Sequence, residues 1–404
     1  MTSLVGLDIG TTGVKALALS PDGAVTGRAE EKYPLSMPRP GWAEQDPDDW
    51  VRAAEAALGR LGGDRSLGLS GQMHGLVVLD SEQRVLRPAI LWNDQRTAAE
   101  CAEIEERIGL GRLIELTGNR ALPGFTAPKL LWLRRHEPEV YARIEHVLLP
   151  KDYVRLRLTG ERATDAADAS GTLLFDVSRR RWSEEVLEAL ELPDAWLPLA
   201  YESPDVPAAP GAGDQAAAAL GVGVDGPGPL SVVLGTSGVV FAALPGFAAD
   251  PQARVHAFCH AVPGGWHAMG VMLSAAGSLR WLRDAVGGTY GELIAEAERW
   301  PPGVEADVGR ASGGGARSDL WLRIAATVLD LPLERPVVEE GSAYGAALLA
   351  GVAAGSFADV HEAVEACVRT TGRIEPEPLW RDAHEAGYAR FRALYPALRP
   401  LEDR

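Results

Sequence analysis

The sequence contains one short pattern twice, first as Leu7-Asp8-Ile9-Gly10-Thr11-Thr12-Gly13-Val14 and again as Val232-Val233-Leu234-Gly235-Thr236-Ser237-Gly238-Val239. In each copy an apolar, β-rich run leads into a turn of glycine with threonine or serine, and a second apolar run follows. This order predicts a strand, a tight turn and a second strand. Because each copy opens one part of a long chain, the repeat indicates two domains that each begin with this strand–turn–strand unit.

The regions around the repeat extend this prediction. Three β-rich runs separated by turns predict an antiparallel meander at the start of the chain, over residues 4–8, 13–20 and 24–32. Apolar residues at helical spacing predict a helix after Asp48. Further helices are predicted near residues 97–107, 128–135, 182–190 and 214–220.

The chain is long enough for two domains, since 404 residues exceed one ordinary core. A glycine- and proline-rich stretch at residues 221–230 lies just before the second copy and is predicted to connect the domains. We therefore expect an N-terminal domain of residues 1–226 and a C-terminal domain of residues 227–404.

Composition excludes several classes of function. A formal net charge of -17 repels nucleic acid. Three widely spaced cysteines predict neither a disulfide framework nor a zinc site, which fits a reducing cytoplasm. The start of the chain has no basic leader, and no apolar run approaches the roughly 20 residues of a membrane span, so we expect no membrane partner.

Both glycine turns are candidate phosphate sites, because glycine lets backbone N–H groups and neighbouring hydroxyls approach phosphate oxygens. A single copy is more often a plain hairpin turn. Two copies favour nucleotide binding, and the predicted ATP-binding residues are Gly10, Thr11, Thr12, Gly235, Thr236 and Ser237.

Only the first copy carries charges suited to a metal and a phosphate. Asp8 at the end of a buried strand is costly unless compensated, and Mg²⁺ would compensate it. Lys15 is one of only four lysines and is a candidate phosphate ligand. The alternatives are that Asp8 caps its own turn and that Lys15 is an exposed strand residue.

A second glycine run, Gly313-Gly314-Gly315, precedes a helix predicted to begin near Ser318. A flat glycine surface ahead of a helix suits the adenosine or phosphate of a nucleotide, and these four residues are candidate ATP contacts. Plain βα turns contain similar runs.

Asp214 follows Gly211-Ala212-Gly213 and opens a predicted helix. Phosphoryl transfer needs a carboxylate that orients the attacking hydroxyl and accepts its proton, and Asp214 is our candidate general base. The alternative is a helix N-cap, since aspartate is a strong one.

Two polar clusters follow short apolar runs and are candidate sugar contacts. They are Gln72-Met73-His74 and Trp92-Asn93-Asp94. Amide, carboxylate and imidazole groups beside an aromatic or thioether surface are typical of sugar sites. A lone histidine is more often structural.

Three segments of the sequence resemble the FGGY carbohydrate kinases, which share the duplicated ribonuclease-H-like fold of hexokinase, actin and the Hsp70 ATPase domain. They are Asp8-Ile9-Gly10-Thr11-Thr12, Gly124-Phe125-Thr126-Ala127-Pro128-Lys129-Leu130-Leu131-Trp132-Leu133 and Gly341-Ser342-Ala343-Tyr344-Gly345-Ala346-Ala347. The resemblance spans nearly the whole chain. It implies two actin-like α/β domains with a cleft between them.

Within the family, the clusters 72–75 and 92–96 are similar to those of the xylulokinases, where the Met-His pair and the Asp of the second cluster contact the sugar. The resemblance therefore implies phosphorylation of D-xylulose by ATP with Mg²⁺. It also implies that Asp214 acts as base, that Asp8 and Asp214 hold the metal, and that the domains close on substrate. A homodimer is a further implication.

The sequence departs from the family in two places. Relatives carry a strand before the base, whereas residues 204–210 here contain three prolines. Relatives also carry a Ser-Gly-Glu-Arg type loop and a long helix near residues 304–310, which this sequence lacks. True deletions at these positions would impair closure and turnover.

Three other functions compete with this prediction. One is a kinase of the same family for another ketose or a polyol, such as ribulose, arabinitol or erythritol. Another is an inactive ATP- or sugar-binding sensor. The third, a DNA-binding repressor, would need a basic helix-turn-helix extension before Leu4, and we expect none.

Overall fold

The computed structural model describes residues 3–63, 65–234, 238–272 and 307–380. These residues form two compact units, each assembled from separate segments. The described residues within 1–226, 243–269 and 340–368 form the first unit, and those within 227–242, 270–339 and 369–404 form the second. The contiguous division at residue 227 remains a prediction.

The helices of the described residues are α1 (Pro47–Leu61), α2 (Ala98–Ile108), α3 (Leu110–Thr117), α4 (Thr126–His136), α5 (Pro138–Tyr141), α6 (Pro150–Thr159), α7 (Ala166–Ala169), α8 (Glu184–Leu190), α9 (Asp214–Gly221), α10 (Asp319–Leu329), α11 (Gly341–Ala353) and α12 (Val360–Cys367). The predicted helices are confirmed. Helix α8 starts two residues later than the pattern indicated, because Ser183 caps it by accepting from the Val186 N–H at 3.3 Å. None of these helices is long and apolar enough to cross a membrane.

The strands of the described residues are β1 (Ser3–Ile9), β2 (Gly13–Leu19), β3 (Val25–Lys32), β4 (Glu44–Gln45), β5 (Arg65–Gly71), β6 (Val77–Leu79), β7 (Ala89–Ile90), β8 (His146–Leu148), β9 (Ala163–Asp165), β10 (Phe175–Asp176), β11 (Arg181–Trp182), β12 (Leu199–Tyr201), β13 (Gly211–Gly213), β14 (Pro229–Leu234), β15 (Gly238–Leu244), β16 (His256–Cys259), β17 (Trp266–Met272), β18 (Val308–Ser312), β19 (Leu333–Pro336) and β20 (Thr370–Ile374). Residues 204–210 form no strand, as their prolines predict. The short strand before Asp214 is built from Gly211–Gly213 instead.

The main sheet of the first unit has the strand order β13-β5-β1-β2-β3. Strand β2 is antiparallel to both β1 and β3, which confirms the predicted meander. Strand β5 pairs in parallel with both β1 and β13. Trp50 of α1 is fully buried and joins Val5 and Leu7 of β1 in one apolar cluster.

Helix α11 packs onto this sheet through glycines of the strands. A Cβ added to Gly6 would stand 1.7 Å from a carbonyl oxygen of α11, and one added to Gly68 would stand 1.9 Å from another. A Cβ on Gly345 of α11 would likewise stand 1.9 Å from a carbonyl oxygen of α9. Only glycine allows such backbone contact, so α11 holds the sheet and α9 together.

The second unit contains strands in the order β15-β14-β18-β19-β20. Strand β14 is antiparallel to β15 and parallel to β18. This arrangement matches the first unit, where β1 is antiparallel to β2 and parallel to β5. The sequence repeat therefore builds the same substructure twice, and the predicted α/β fold with two related parts is confirmed.

Candidate active site

Three strands of the first unit end at one edge of its sheet. Ile9 of β1 and Gly213 of β13 both pair in register with Gly71 of β5. Because these strands are parallel, the segments that follow them leave the sheet at the same edge. This edge brings together the first glycine turn, the cluster beginning at Gln72, and Asp214.

Asp214 is the first residue of α9, and Gly213 occupies the N-cap position. The carboxylate is therefore not the N-cap of its own helix. Burial, and then the charge of Asp8, raise the pKa of Asp214 to about 7, against a smaller lowering by hydrogen bonds from Gln215. A carboxylate with this pKa accepts a proton effectively near neutral pH.

Asp8 lies close enough to Asp214 for their charges to interact. Burial raises the pKa of Asp8, and a hydrogen bond from Ser70 at 3.0 Å and the charge of Lys15 lower it in part. Lys15 pairs with Asp8 across the strands, and the side chains of Lys15 and Thr12 are exposed. Mg²⁺ beside the two carboxylates would lower both pKa values, so this donor set fits the metal.

The first glycine turn is fixed by neighbouring side chains. Tyr33 donates its hydroxyl hydrogen to the Gly10 carbonyl, and Gln45 Nε2 donates to the Thr11 carbonyl at 2.7 Å. Trp92 Nε1 donates to Thr11 Oγ1 at 3.0 Å. These contacts hold the turn in one conformation, which is what a phosphate site requires.

Gln72 is 1% exposed and its amide is bound to the protein. Its Nε2 lies 3.1 Å from Gln45 Oε1, and its Oε1 accepts from Thr11 Oγ1 at 3.4 Å. In this structure Gln72 therefore braces the glycine turn. Its contact with a sugar remains a prediction.

His74 is held in a left-handed backbone conformation, with φ at 67°. Lys129 Nζ donates to the His74 carbonyl at 2.8 Å, and Thr126 Oγ1 donates to the same oxygen at 3.1 Å. The ring Nδ1 lies 2.5 Å from the Gly171 carbonyl. A carbonyl only accepts, so Nδ1 carries the hydrogen, and Nε2 is left as an acceptor.

Met73 lies against two glycines of the first unit. A Cβ on Gly213 would stand 2.8 Å from Met73 Cγ, and one on Gly171 would stand 2.9 Å from Met73 Cε and 2.7 Å from the His74 ring. Gly171 and Gly213 thus provide the space for the Met73-His74 pair. Neither glycine was predicted to serve the sugar side.

The second sugar cluster is organised by a buried ion pair. Asp94 is fully buried and accepts from the Ala43 N–H at 2.7 Å and from the Arg96 side chain at 2.9 and 2.7 Å. In contrast, Asn93 Oδ1 is enclosed and has no recorded hydrogen bond. Asn93 Oδ1 therefore keeps its capacity to accept a hydrogen bond, whereas the Asp94 carboxylate is occupied. Contact of either residue with a sugar remains a prediction.

The Arg96 side chain is clamped between two indole rings. Its guanidinium carbon lies 3.6 Å from the ring centroid of Trp42 and 4.9 Å from that of Trp132. Stacking and the Asp94 contact together fix the loop that presents Trp92 and Asn93.

The predicted nucleotide residues of the second unit are partly described. Residues 235–237 lie outside the described residues. Gly313 has φ at 85°, and Ser318 Oγ accepts from the Trp321 N–H at 3.3 Å, which confirms that α10 begins after Ser318. Nucleotide contacts of Gly313, Gly314, Gly315 and Ser318 remain predictions.

A buried charge cluster lies behind the strand edge. Lys151 Nζ lies 2.5, 2.8 and 3.2 Å from carboxylate oxygens of Asp152, Asp165 and Asp168, and all four side chains are fully buried. A Cβ on Gly71 would stand 3.0 Å from Lys151 Cβ. The three carboxylates could hold a metal ion by their spacing, but the ammonium group already supplies the positive charge among them.

Sequence reasoning assigned no role to two buried lysines and one histidine that lie around this site. Lys129 and Lys151 are two of only four lysines, and both are fully buried, so their rarity was an available signal. His256 was also missed. Three of the eight histidines fall within residues 256–267, which could have indicated a second imidazole near the site.

Comparisons with protein families give a consistent result. The N-terminal domain of the FGGY family of carbohydrate kinases matches residues 3–227, and the C-terminal domain matches residues 302–354. The chain is 47% identical to a xylulose kinase of Escherichia coli over 319 residues, covering 73% of this chain and 66% of the relative. It thus spans just under two thirds of that relative.

A xylulose kinase of Bacillus subtilis is 30% identical over 466 aligned positions, covering 93% of each chain. The alignment is longer than this chain of 404 residues, so the relative carries internal segments that this chain lacks. A solved "xyloylose kinase" of Brucella ovis has a TM-score of 0.90 and 37% identity, with 99% of this chain and 100% of that chain covered. A xylulose kinase structure from Rhodospirillum rubrum has a TM-score of 0.88 and 27% identity, covering 100% of both chains.

Proposed function

This chain belongs to the FGGY family of carbohydrate kinases, and from that membership we propose that it transfers the terminal phosphoryl group of ATP to D-xylulose. The product would be D-xylulose 5-phosphate. The observation that carries the proposal is the meeting of Asp214, Asp8 and the Met73-His74 pair at one strand edge. The relatives that are xylulose kinases support the choice of sugar.

In the proposed reaction Asp214 is the general base. Its carboxylate accepts the proton of the C5 hydroxyl while that oxygen attacks the γ-phosphorus. The bond from the γ-phosphorus to the bridging oxygen breaks, and ADP leaves with that oxygen. A pKa of about 7 supports this role, because the group gains a proton readily and returns it to solvent near neutral pH.

The carboxylates of Asp8 and Asp214 would hold Mg²⁺, which when bound neutralises charge on the phosphate oxygens. Lys15 and the turn at Gly10, Thr11 and Thr12 would orient the phosphates. The rigid hydrogen bonding of that turn supports this role, because it costs no reordering when ATP binds.

The sugar would lie over Met73, His74, Trp92 and Asn93. The acceptor Nε2 of His74 and the acceptor Oδ1 of Asn93 suit hydroxyl donors. We further propose that Asp94 acts by holding Arg96. A cytoplasmic location, which the three free cysteines support, and a homodimer, which rests on the family alone, are part of the proposal.

Two alternatives remain distinct from this proposal. A different ketose or polyol would use the same base and turn, because one changed hydroxyl contact is worth only about 1 to 3 kcal/mol. An inactive sensor would bind sugar and ATP without turnover. The internal segments that this chain lacks relative to the Bacillus subtilis protein support this alternative.

The test is ADP formation from Mg-ATP with a panel of ketoses, aldoses and polyols, run with wild type and with Asp214→Ala. We expect preference for D-xylulose and a loss of at least a thousandfold in the variant. Preference for another sugar would change the proposed substrate and leave the proposed mechanism unchanged. Binding of sugar and ATP without turnover would refute the proposed kinase activity and support the inactive-sensor alternative.

A further inference from the structure

His256 places a second imidazole in the aromatic cluster that contains His74. The Phe125 ring centroid lies 4.9 Å from that of His74 and 5.8 Å from that of His256, with both contacts edge-on. Phe258 lies 6.0 Å from His74 and stacks on His256 at 5.4 Å. Both phenylalanines are buried, so the two imidazoles are set in one rigid aromatic cluster.

The hydrogen-bond partners of His256 fix its tautomer. Asn119 Nδ2 donates to the carbonyls of Thr117 and Ala257 at 2.9 and 3.0 Å, so the amide is oriented with Oδ1 as the acceptor. His256 Nδ1 lies 2.7 Å from this Oδ1 and therefore carries the hydrogen. Like His74, His256 is left with Nε2 as an acceptor.

Both rings are neutral under ordinary conditions. Burial lowers the pKa of His74 to about 3 and that of His256 to about 4. Among the described residues no partner is recorded for either Nε2, and both side chains are partly exposed. Each ring therefore has one acceptor available to a ligand.

We propose that Nε2 of His74 and Nε2 of His256 accept hydrogen bonds from two hydroxyl groups of a neutral sugar and disfavour sugar acids, which makes His256 a specificity-determining residue. This inference rests on the proposed function, which supplies the polyhydroxylated ligand. A carboxylate has no hydrogen to donate and repels both lone pairs. Asp8 and Asp214 at the same strand edge add to the repulsion. The ammonium group of Lys129 is already bound to the carbonyls of His74 and Gly124.

The first test is a binding cycle by calorimetry without ATP, so that turnover is not needed. The ligands are D-xylulose and its monodeoxy analogues, and the proteins are wild type and His256→Phe, which keeps the ring stacking and removes the acceptor. We expect His256→Phe to weaken D-xylulose binding about fivefold to tenfold. One deoxy analogue should bind both proteins equally, because it lacks the hydroxyl that His256 binds.

The matched control is His136→Phe, an exposed histidine that stacks on Trp132 at 4.7 Å. It should bind every ligand as wild type does. An equal loss for all analogues in His256→Phe would overturn the inference, because a purely structural defect does not distinguish hydroxyl groups.

The second test compares D-xylulose with D-gluconate as a sugar acid. Wild type should bind the acid at least fiftyfold more weakly, and His256→Arg should narrow that ratio by about tenfold because it supplies donors and charge. Equal binding of acid and sugar by wild type would overturn the inference. Binding of D-xylulose without its phosphorylation would refute the proposed function alone, whereas no binding of any neutral sugar would overturn both.

Discussion

The carboxyl group of Asp214 keeps its proton up to about pH 7, whereas an aspartic acid in an unfolded chain loses it near pH 3.8. Because burial raises this pKa, the folded state binds the proton more tightly than the unfolded state. The free energy of unfolding therefore falls as the pH rises from about 3.8 to about 7. The proposed base is a source of instability at the pH where it would work.

Replacing this carboxyl group should stabilise the protein at high pH. We expect Asp214→Asn to raise the free energy of unfolding by about 2 kcal/mol at pH 8, with little difference from wild type at pH 4. Urea denaturation at both pH values measures this. Asp22→Asn is the control, because hydrogen bonds lower the Asp22 pKa and its removal should not stabilise. Parallel pH dependence of Asp214→Asn and wild type would contradict the assignment.

The same pKa predicts the pH dependence of activity. A base must be ionised, so kcat/KM for the sugar should fall as the pH drops through about 7, with a slope of one proton. Bound Mg²⁺ should move this limb to lower pH, since it favours the ionised form. Initial rates from pH 5 to 9 at two Mg²⁺ concentrations test both statements. A flat profile down to pH 5 at the lower Mg²⁺ concentration would be inconsistent with Asp214 as base.

Lys129 should act on sugar affinity through the His74 backbone. Lys129→Met removes both donors and keeps the volume, so we expect the KM for sugar to rise about tenfold while the KM for ATP stays within twofold. Thr126→Val removes one weaker contact to the same oxygen and should give a smaller change. Steady-state kinetics with each substrate varied in turn measure both KM values. Equal changes in the two KM values would indicate a general structural defect and contradict the prediction.

At this scale Asp8, His74 and Asp214 were proposed from residue type, and the structure brings their segments to one strand edge. Their roles stay predictions. The sequence could not predict that Asp94 would be occupied by Arg96, because that depends on two tryptophans distant in the chain. Gly171 lies beside the Met73-His74 pair only because of tertiary packing, so no local sequence pattern predicts this contact.

At the scale of elements, α11 illustrates the limit of local patterns. Its first residues were identified only by their resemblance to the FGGY kinases, whereas the first meander was predicted from turns and β-rich runs. Nothing local indicates that α11 packs on β1 and β5, because the partners are more than 250 residues away in sequence and the contact is made by backbone. The reason that Gly6 and Gly68 must be glycine becomes clear only when the helix packed on the sheet is known.

The contact between α11 and α9 should tolerate no side chain. We expect Gly345→Ala to lower the free energy of unfolding by about 2 to 3 kcal/mol and to reduce kcat, because it displaces the helix that begins with Asp214. Gly59→Ala in α1 is the matched control, since no atom lies within 4 Å of its added Cβ. That variant should stabilise by roughly 0.5 to 1 kcal/mol. Thermal unfolding measures both changes in stability. A change of the same sign in the two variants would refute the packing argument.

At the scale of the whole molecule, the family match is uneven. The N-terminal family domain matches residues 3–227, whereas the C-terminal one matches only residues 302–354. The described candidate sugar residues all belong to the first unit. The internal segments absent from this chain were predicted near residues 204–210 and 304–310, and the second of these positions lies in the second unit.

We therefore expect the KM for D-xylulose to lie within about threefold of that of the Escherichia coli relative, and the KM for ATP to be at least tenfold higher. The reason is that the candidate nucleotide residues of the second unit adjoin the predicted loss. Parallel kinetics on both proteins under one buffer condition test this. A weakened sugar KM with an unchanged ATP KM would place the defect in the first unit instead.

The route of α11 back onto the first sheet has a consequence for how the protein is made. A ribosome releases the strands containing Gly6 and Gly68 early, but the helix that covers them is encoded by residues 341–353. Until that helix emerges, a growing chain exposes an apolar sheet face with a glycine-lined groove, the kind of surface that aggregates or recruits chaperones. The first sheet therefore cannot complete its packing until the ribosome has synthesised residues 341–353. Premature termination before residue 341 would yield an uncovered sheet rather than a smaller working domain.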